Sequence, residues 1–340
     1  MLPARTRRDR GVLMPAARDV SLSTESWDLR SPFKITGYTF SSARLLHVHI
    51  TENGITGRGE ATGVYYLGET AESMLAQVEA VRRDLESGVG RDELRRLLPA
   101  GGARNAVDCA LWDLEAKLAG KTIWELTGIT PGSTHSLLTV GLGTPAEMAR
   151  TAHTLDTAKI KVKLDSERPL ERIAAVCAAR PDAEIVVDIN QGWSFAELVA
   201  LAPKFRDLGV TMIEQPLPRG GDEALEDYAA PLTLCADESC LDTGEFEQAA
   251  RRYRMINIKL DKTGGLTEAL ELAGLALSRG IELMVGNMMG TSLAMAPGFV
   301  VAQLCRFVDL DGAVFLKRDR AHPMHYARGV IAGPTSELWG

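Results

Sequence analysis

Five apolar runs that end in charged residues decide the fold: AKIKVKLD (158–165), EIVVDIN (184–190), VTMIEQP (210–216), LTLCADES (232–239) and MINIKLD (255–261). The charged ends recur at a regular interval, with 25 residues from Lys163 to Asp188, 26 to Glu214, 23 to Asp237 and 22 to Lys259. Such an interval holds one strand, one turn and one helix of ordinary length. The pattern therefore predicts successive βα units with parallel strands.

Three further runs of the same kind extend the series to eight strands. SLLTVGLG (136–143) precedes the five runs, and IELMVGN (281–287) and RFVDLD (306–311) follow them. Eight βα units in roughly 190 residues fit a closed parallel barrel. An open, doubly wound sheet is the alternative, but no Gly-x-Gly-x-x-Gly dinucleotide loop follows a run. We expect an α/β fold in which residues 131–320 form a (β/α)8-type barrel.

The first third of the chain has a different pattern. From Asp19 to Ala61, apolar and polar residues alternate around a TENG turn, which predicts antiparallel strands joined by a hairpin. From Thr70 to Gly128, apolar residues recur every three or four positions, which predicts helices. We expect residues 17–130 to form a separate α+β unit.

The N-terminal segment MLPARTRRDRGVLMPAARDV is rich in arginine and lacks the apolar block of a secretory signal. We interpret residues 1–16 as a disordered tail, with a transit peptide, or upstream sequence before a start at Met14, as the alternatives. The predicted fold depends on none of these interpretations.

Charge and composition favour a small-molecule enzyme. With 38 Lys+Arg against 45 Asp+Glu, the net charge is −7, which disfavours nucleic acid and anionic membranes as partners. No stretch approaches the roughly 20 apolar residues of a membrane helix. The five cysteines are scattered without a Cys-x-x-Cys pair, as free thiols of a reducing compartment are. We expect a cytoplasmic enzyme, and the sequence leaves open whether it is a homo-oligomer.

Three acidic residues predict a metal site. In parallel barrels the C-terminal ends of the strands face the active site. Asp188, Glu214 and Asp237 end three adjacent strands and offer only hard oxygen ligands, which suit Mg²⁺ first and Mn²⁺ second. The alternative is that each carboxylate caps a helix or pairs with a lysine.

Three lysines predict acid–base chemistry. Lys161 and Lys163 point to the same side of one strand, and we expect their repulsion and desolvation to lower their pKa values toward neutrality. Lys259 ends a strand on the opposite side of an eight-stranded ring. One lysine can remove a proton from one face of a carbon while the other returns a proton to the opposite face. Removing a proton beside a carboxylate leaves an enediolate, which a metal ion and Lys161 can stabilise.

The motifs VKLD, VDINQGW, MIEQPLP, CADES and NIKLDKTGG resemble those of the enolase superfamily, muconate-cycloisomerase subgroup. Within it, Asp309-Leu-Asp311 is similar to the Asp-x-Asp of dipeptide epimerases of the L-Ala-D/L-Glu type. The resemblance implies that Lys163 and Lys259 are the acid/base pair, since such enzymes use lysine bases with Mg²⁺. It also implies that Asp309 and Asp311 bind the α-ammonium of a dipeptide, and that Thr139 contacts this substrate.

By the same resemblance, the α+β unit is a capping domain, completed by residues 321–340, whose loops select the substrate. In L-Ala-L-Glu enzymes the loop after the first strand supplies an arginine to the distal carboxylate. Residues 35–40 contain no arginine. Either Lys34 or Arg58 substitutes for it, or Tyr38 and Phe40 favour an apolar or aromatic second residue.

Other functions remain open at this point. A cycloisomerase, an o-succinylbenzoate synthase or an N-acylamino-acid racemase of the same subgroup would share the lysines and the metal trio. An N-acylated substrate has no ammonium group, so Asp309 and Asp311 distinguish these enzymes from dipeptide epimerases. A peptide-binding protein without catalytic activity has no need for two opposed bases.

Overall fold

The computed structural model describes residues 17–35 and 37–340, and the predicted tail at residues 1–16 lies outside this part of the chain. The N-terminal sheet is antiparallel and contains β1 (Asp19–Ile35), β2 (Tyr38–Glu52) and β3 (Ile55–Ala61). A small sheet near the C-terminus contains β4 (Thr134–His135), β13 (Tyr326–Ala327) and β14 (Val330–Ile331). The largest sheet is parallel and contains β5 (Leu138–Val140), β6 (Lys159–Lys163), β7 (Glu184–Asp188), β8 (Val210–Glu214), β9 (Thr233–Ala236), β10 (Met255–Ile258), β11 (Glu282–Val285) and β12 (Phe307–Val308).

Several helices begin where the sequence supplies a capping side chain. Thr70, Thr122, Thr144 and Ser194 each accept a hydrogen bond from a backbone N–H in the first turn of the helix that follows. The helices of the first third are α1 (Ala71–Ala80), α2 (Arg82–Glu86), α3 (Arg91–Leu97), α4 (Gly102–Ala119) and α5 (Ile123–Thr127). Those around the parallel sheet are α6 (Pro145–Thr154), α7 (Pro169–Ala179), α8 (Phe195–Asp207), α9 (Phe246–Arg252), α10 (Leu260–Thr263), α11 (Leu266–Ser278) and α12 (Ser292–Ala302). None of these helices is long and apolar enough to cross a bilayer.

The parallel sheet confirms the predicted barrel. Its strands follow one another in chain order from β5 to β12. The first and last strands meet where Ser136 bridges Val308 and Leu137 N donates to Val308 O at 2.6 Å, which closes the ring. The layer of side chains that fills its interior consists of Leu137, Val186, Met212, Cys235, Met255, Met284 and Phe307.

Two of the eight units lack the α-helix that the pattern predicted. β8 is followed by a 3-10 helix, Glu223–Asp227, and β12 by a 3-10 helix, Gly312–Phe315. After β8, the sequence PLPRGGD places two prolines and two adjacent glycines where a helix would begin, and both residue types disfavour helix propagation.

The hairpin of the capping domain differs from the predicted loop at residues 35–40. Ile35 pairs with Tyr38, so β1 ends and β2 begins within this segment, and Phe40 is a strand residue paired with Phe33. β3 packs on α4, because Gly59 presents no side chain to it. A Cβ atom at Gly59 would collide with the backbone of α4.

The C-terminal residues pack against α4. Trp339 Nε1 donates to Cys109 O at 2.9 Å, and Gly340 N donates to Asp113 Oδ1 at 2.8 Å. Both donors come from the end of the chain and both acceptors from the capping domain, more than two hundred residues away. The C-terminal residues therefore pack on the capping domain, although the barrel separates the two segments in sequence.

Candidate active site

A cavity of about 440 Å³ lies at the C-terminal ends of the barrel strands, beneath the capping domain. Six of the nine predicted site residues line it: Thr139, Lys161, Lys163, Lys259, Asp309 and Asp311. The other three, Asp188, Glu214 and Asp237, are fully buried. The structure thus brings the nine residues to one end of the barrel.

Strand register sets the order of the charged groups. Lys163 on β6 is the Cα partner of Asp188 on β7, and Asp188 is the partner of Glu214 on β8. Asp237 follows β9 directly, and its backbone N–H donates to Gln215 Oε1 at 2.9 Å. The three carboxylates therefore occupy neighbouring strand ends, as the spacing of the apolar runs predicted.

Lys161 lies among three carboxylates. Its Nζ is 3.0 Å from Asp188 Oδ2, 2.7 Å from Glu214 Oε2 and 2.8 Å from Asp309 Oδ2. Burial alone would lower the pKa of Lys161, but these carboxylates outweigh burial and hold the pKa well above its usual value. The predicted lowering of the pKa by repulsion from a neighbouring lysine is therefore wrong for Lys161.

Two of the carboxylates respond in opposite directions. Although burial opposes it, the ammonium groups of Lys161 and Lys163 lower the pKa of Asp188 to about 2. Burial and the nearby charge of Asp188 raise the pKa of Glu214 to about 7, despite the contact with Lys161. Of these two carboxyl groups, Asp188 therefore holds the negative charge more strongly than Glu214.

Lys259 and Lys262 both bind Asp237. Lys259 Nζ donates to Asp237 Oδ2 at 2.6 Å, and Lys262 Nζ donates to Asp237 Oδ1 at 2.7 Å. Lys262 is fully enclosed and also donates to the carbonyls of Asn257 and Cys240, at 2.8 and 3.1 Å. Lys262 is therefore a structural residue that fixes the Asp237 carboxylate.

The donor set fits a magnesium ion by its chemistry. Asp188 and Glu214 already enclose a cation, the ammonium group of Lys161, whose Nζ lies 3.0 Å from Asp188 Oδ2 and 2.7 Å from Glu214 Oε2. As the side chains stand, no three His, Cys, Asp or Glu groups among the described residues converge on one metal position. The reason is that the lysine ammonium groups lie between the carboxylates. Buried carboxylate oxygens that surround a cation are the ligands Mg²⁺ prefers.

Asp309 and Asp311 form a second acidic pair across the cavity. Thr139 N donates to Asp311 Oδ2 at 3.1 Å. Burial and the neighbouring Asp309 raise the pKa of Asp311 to about 7. Asp309 Oδ1 is buried without a hydrogen-bond partner. An unpaired carboxylate oxygen beside a second carboxyl group suits a cationic ligand.

Neither of the two residues predicted to replace the missing arginine is among the described residues that line the cavity. The guanidinium of Arg58 donates to the backbone carbonyls of Glu337 and Leu338, so Arg58 does not substitute. Lys34 is not among the described residues that line the cavity, whereas Arg44 is. Arg44 contacts Glu72, and both side chains are mostly exposed at the rim.

Several lining residues were not identified from the sequence. Asn190 has a left-handed backbone with φ 46° and accepts a hydrogen bond from Lys163 Nζ at 3.1 Å. Tyr65 belongs to a 3-10 helix of the capping domain, Tyr65–Leu67, that follows no apolar pattern. Asn287, Met288 and Met289, which follow β11, also line the cavity.

Comparison with protein families gives two matches. Residues 17–128 match the mandelate racemase / muconate lactonizing enzyme N-terminal domain. Residues 143–336 match the enolase C-terminal domain-like family. The two matches cover most of the chain and leave residues 129–142 between them.

Similar proteins share this two-part organisation. The chain is 44% identical over 318 residues to the L-Ala-D/L-Glu epimerase of Escherichia coli (strain K12), covering 92% of this chain and 99% of that protein. It superposes with a TM-score of 0.92 and 38% identity on an enolase family member from Agrobacterium tumefaciens with homology to dipeptide epimerases, solved with sodium and L-Ala-L-Glu. That comparison covers 95% of this chain and 100% of the other. A dipeptide epimerase from Methylococcus capsulatus, complexed with Mg and L-Arg-D-Lys, gives a TM-score of 0.87 at 30% identity, covering 94% and 97%.

Proposed function

The chain belongs to the mandelate racemase / muconate lactonizing enzyme family of the enolase superfamily, and we propose that it is a magnesium-dependent dipeptide epimerase. It inverts the α-carbon of the C-terminal residue of a dipeptide. The observation that carries this function is the placement of Lys163 and Lys259, which end β6 and follow β10, four strands apart in a ring of eight, and line the same cavity.

The two lysines act as the acid/base pair. One neutral amine takes the α-proton from its face of the substrate, and the C–H electron pair moves into the adjacent carboxylate as an enediolate. The other lysine, as an ammonium, gives a proton to the opposite face and becomes neutral. The product has the inverted configuration, and the lysines exchange roles in the reverse direction. Asn190 keeps Lys163 oriented toward the cavity while its protonation changes.

The remaining charged groups bind and orient the dipeptide. Asp309 Oδ1 is a free acceptor for the α-ammonium group, and Asp311 and Thr139 complete this end of the site. Lys161 faces the substrate carboxylate, where its positive charge opposes the negative charge that develops as the proton leaves.

Asp188, Glu214 and Asp237 are the residues that would hold Mg²⁺, with Mn²⁺ as the alternative ion. When bound, Mg²⁺ supplies positive charge beside the substrate carboxylate. We also propose that residues 17–130, with 321–340, act as a capping domain over a catalytic domain at residues 131–320. The contacts of Trp339 and Gly340 with α4 support this division.

The experiment that tests the function is α-proton exchange followed by ¹H NMR in D₂O with Mg²⁺. A panel of L-Ala-L-Xaa dipeptides is compared with the matching N-acetyl and N-succinyl amino acids. We expect deuterium at the α-carbon of the C-terminal residue, together with formation of the second epimer, for dipeptides alone. Exchange restricted to the N-acylated amino acids would place the protein with the racemases and leave the Asp309 and Asp311 pair without a catalytic use.

A further inference from the structure

One side of the cavity is made of apolar and aromatic side chains. We call this surface the aromatic wall, and it consists of Phe33, Ile35, Phe40, Tyr65, Met289 and Phe315. Five of these side chains are partly buried and Ile35 is buried, so they present apolar faces to the cavity while their far sides pack in the protein. The lysines and the acidic pair line the same cavity.

Mutual packing fixes the rings of the wall. The Phe40 and Tyr65 ring centroids lie 5.3 Å apart at an interplanar angle of 73°. Tyr38 packs edge-on against Tyr65 at 4.7 Å. Phe33 and Phe315 lie 4.9 Å apart at 47°. Rings held edge to face are already ordered, so an apolar group that packs on them gains contact area at little cost in conformational entropy.

The two ends of the wall lie near different parts of the site. Tyr65 packs on Phe40 and lines the cavity together with Lys163 and Lys259, the two residues that move the α-proton in the proposed mechanism. Phe315 ends the 3-10 helix that begins directly after Asp311, which places it toward the ammonium end. The side chain of the inverted residue therefore meets Phe40 and Tyr65.

Each cation in the described lining of the cavity already has a carboxylate partner. These cations are Arg44, Lys161, Lys163 and Lys259. The three lysines bind the buried carboxylates of the barrel, and Arg44 contacts Glu72 with 61% of its side chain exposed. A glutamate side chain against the rings would lose its hydration without gaining an ion pair.

We propose that the aromatic wall selects dipeptides whose inverted residue is aromatic or large and aliphatic, so that L-Ala-L-Phe and L-Ala-L-Tyr are preferred over L-Ala-L-Glu. This inference rests on the proposed dipeptide epimerisation. It separates this chain from the Escherichia coli relative, whose name gives L-Ala-D/L-Glu as its substrate.

The test compares kcat/KM for epimerisation of L-Ala-L-Phe and L-Ala-L-Glu in the full-length, Mg²⁺-loaded protein. We expect a preference of about 100-fold for L-Ala-L-Phe, because the wall leaves a carboxylate unpaired. Phe40→Arg supplies the missing cation and should reduce this preference by about 10-fold or more, mainly by raising activity on L-Ala-L-Glu. Phe40→Leu is the matched control, which keeps the wall apolar and should keep the preference.

A binding measurement covers the case in which a wall variant folds poorly. Titration calorimetry of the Mg²⁺-loaded Lys163→Ala protein, whose wall is intact, should show L-Ala-L-Phe binding about 10-fold or more tightly than L-Ala-L-Glu. Preference for L-Ala-L-Glu in wild-type turnover overturns the wall proposal and leaves the epimerase function standing. If none of the dipeptides shows α-proton exchange, both proposals are overturned.

Discussion

Lys163 Nζ donates a hydrogen bond to Asn190 Oδ1 across 3.1 Å, while the backbone N–H of Asn190 donates to Asp188 Oδ1 at 2.9 Å. The amide oxygen is neutral, so it orients Lys163 in both protonation states, whereas a carboxylate favours the charged state. Asn190 reaches this position through a left-handed backbone, with φ 46°, that asparagine tolerates better than most residues. This geometry makes Asn190 a positioning residue for one face of the reaction.

Asn190→Gly should impair one epimer selectively. Glycine keeps the left-handed backbone and removes the neutral acceptor. Lys163 Nζ then keeps its contact with Asp188 Oδ2 at 2.6 Å, and this carboxylate favours the charged amine over the neutral base, while Lys259 is unaffected. We expect α-proton exchange to fall about 10- to 100-fold for the epimer that Lys163 deprotonates, and little for the other. Separate NMR exchange rates for the two epimers measure this. Asn190→Asp retains an acceptor and should recover part of the rate, whereas equal losses for both epimers would contradict the positioning role.

Lys163→Ala and Lys259→Ala should each abolish epimerisation, because inversion requires one base on each face. We expect turnover to fall about 100- to 10,000-fold in each variant. Each should still exchange the α-proton of one epimer, and the two variants should select opposite epimers. Lys159→Ala is the control, because Lys159 begins the same strand and its Nζ lies 3.7 Å from Glu184, far from the cavity. Full epimerase activity in either site variant would sink the two-base mechanism.

Gln215→Leu should destabilise the fold behind the proposed metal ligands. The Gln215 side chain is fully buried, and its Oε1 accepts the backbone N–H groups of Asp237 and Ser239 at 2.9 and 3.0 Å. Leucine leaves both donors unpaired, which costs about 2–4 kcal/mol of unfolding free energy. Urea unfolding of the metal-free protein measures this, and Gln248→Leu on the exposed face of α9 should change it by less than about 0.5 kcal/mol. Comparable losses in both variants would show that the Gln215 hydrogen bonds contribute nothing specific.

The strand-end residues were predictable because the barrel repeats. Asp188, Glu214 and Asp237 each end an apolar run, and the interval between runs fixes which strands are neighbours. Lys259 was placed opposite Lys163 by the same count. Nothing about these positions depends on detailed packing, so their assembly follows from the topology alone.

The supporting residues were not predictable in this way. The backbones of Asn190 and Gln215 are left-handed, with φ 46° and 35°, although neither residue is the glycine that such a backbone favours. Lys262 donates to Asp237 Oδ1 and Asn257 O, and only the turn of the chain after β10 brings it next to them. The sequence did contain a signal for the orientation of Arg58, which the prediction missed. Gly59 and its neighbours on the same face of β3 pack on α4, so Arg58 is directed elsewhere.

Arg320→Met should separate the capping domain from the barrel. Arg320 Nη2 lies 2.7 Å from Glu60 Oε2 on β3, and the side chain of Glu60 is fully buried while it also accepts from Thr291 N at 2.8 Å. Methionine leaves the Glu60 charge without its cation, which costs about 3–5 kcal/mol. Chemical denaturation measures the loss. Arg328→Met, in the C-terminal segment that follows, is the control, because the contact of Arg328 with Asp156 is 3.8 Å long and exposed. A similar loss of stability in that variant would contradict this role of Arg320.

Stability should fall on the acid side of neutrality because of His49. Burial, followed by the charges of His47 and Arg58, lowers the pKa of His49 from 6.5 to about 4. The groups that face it are His47, Arg58, Arg320 and Glu25. Between pH 6.5 and 4 the unfolded chain binds a proton that the folded protein excludes, so this contribution is complete above pH 6.5 and is lost as the pH falls toward 4.

Urea unfolding across this range should show a shallower pH dependence in His49→Gln than in the wild type. His153→Gln, at an exposed position on α6, should keep the wild-type slope. Parallel curves for wild type and His49→Gln would assign the acid sensitivity to other groups.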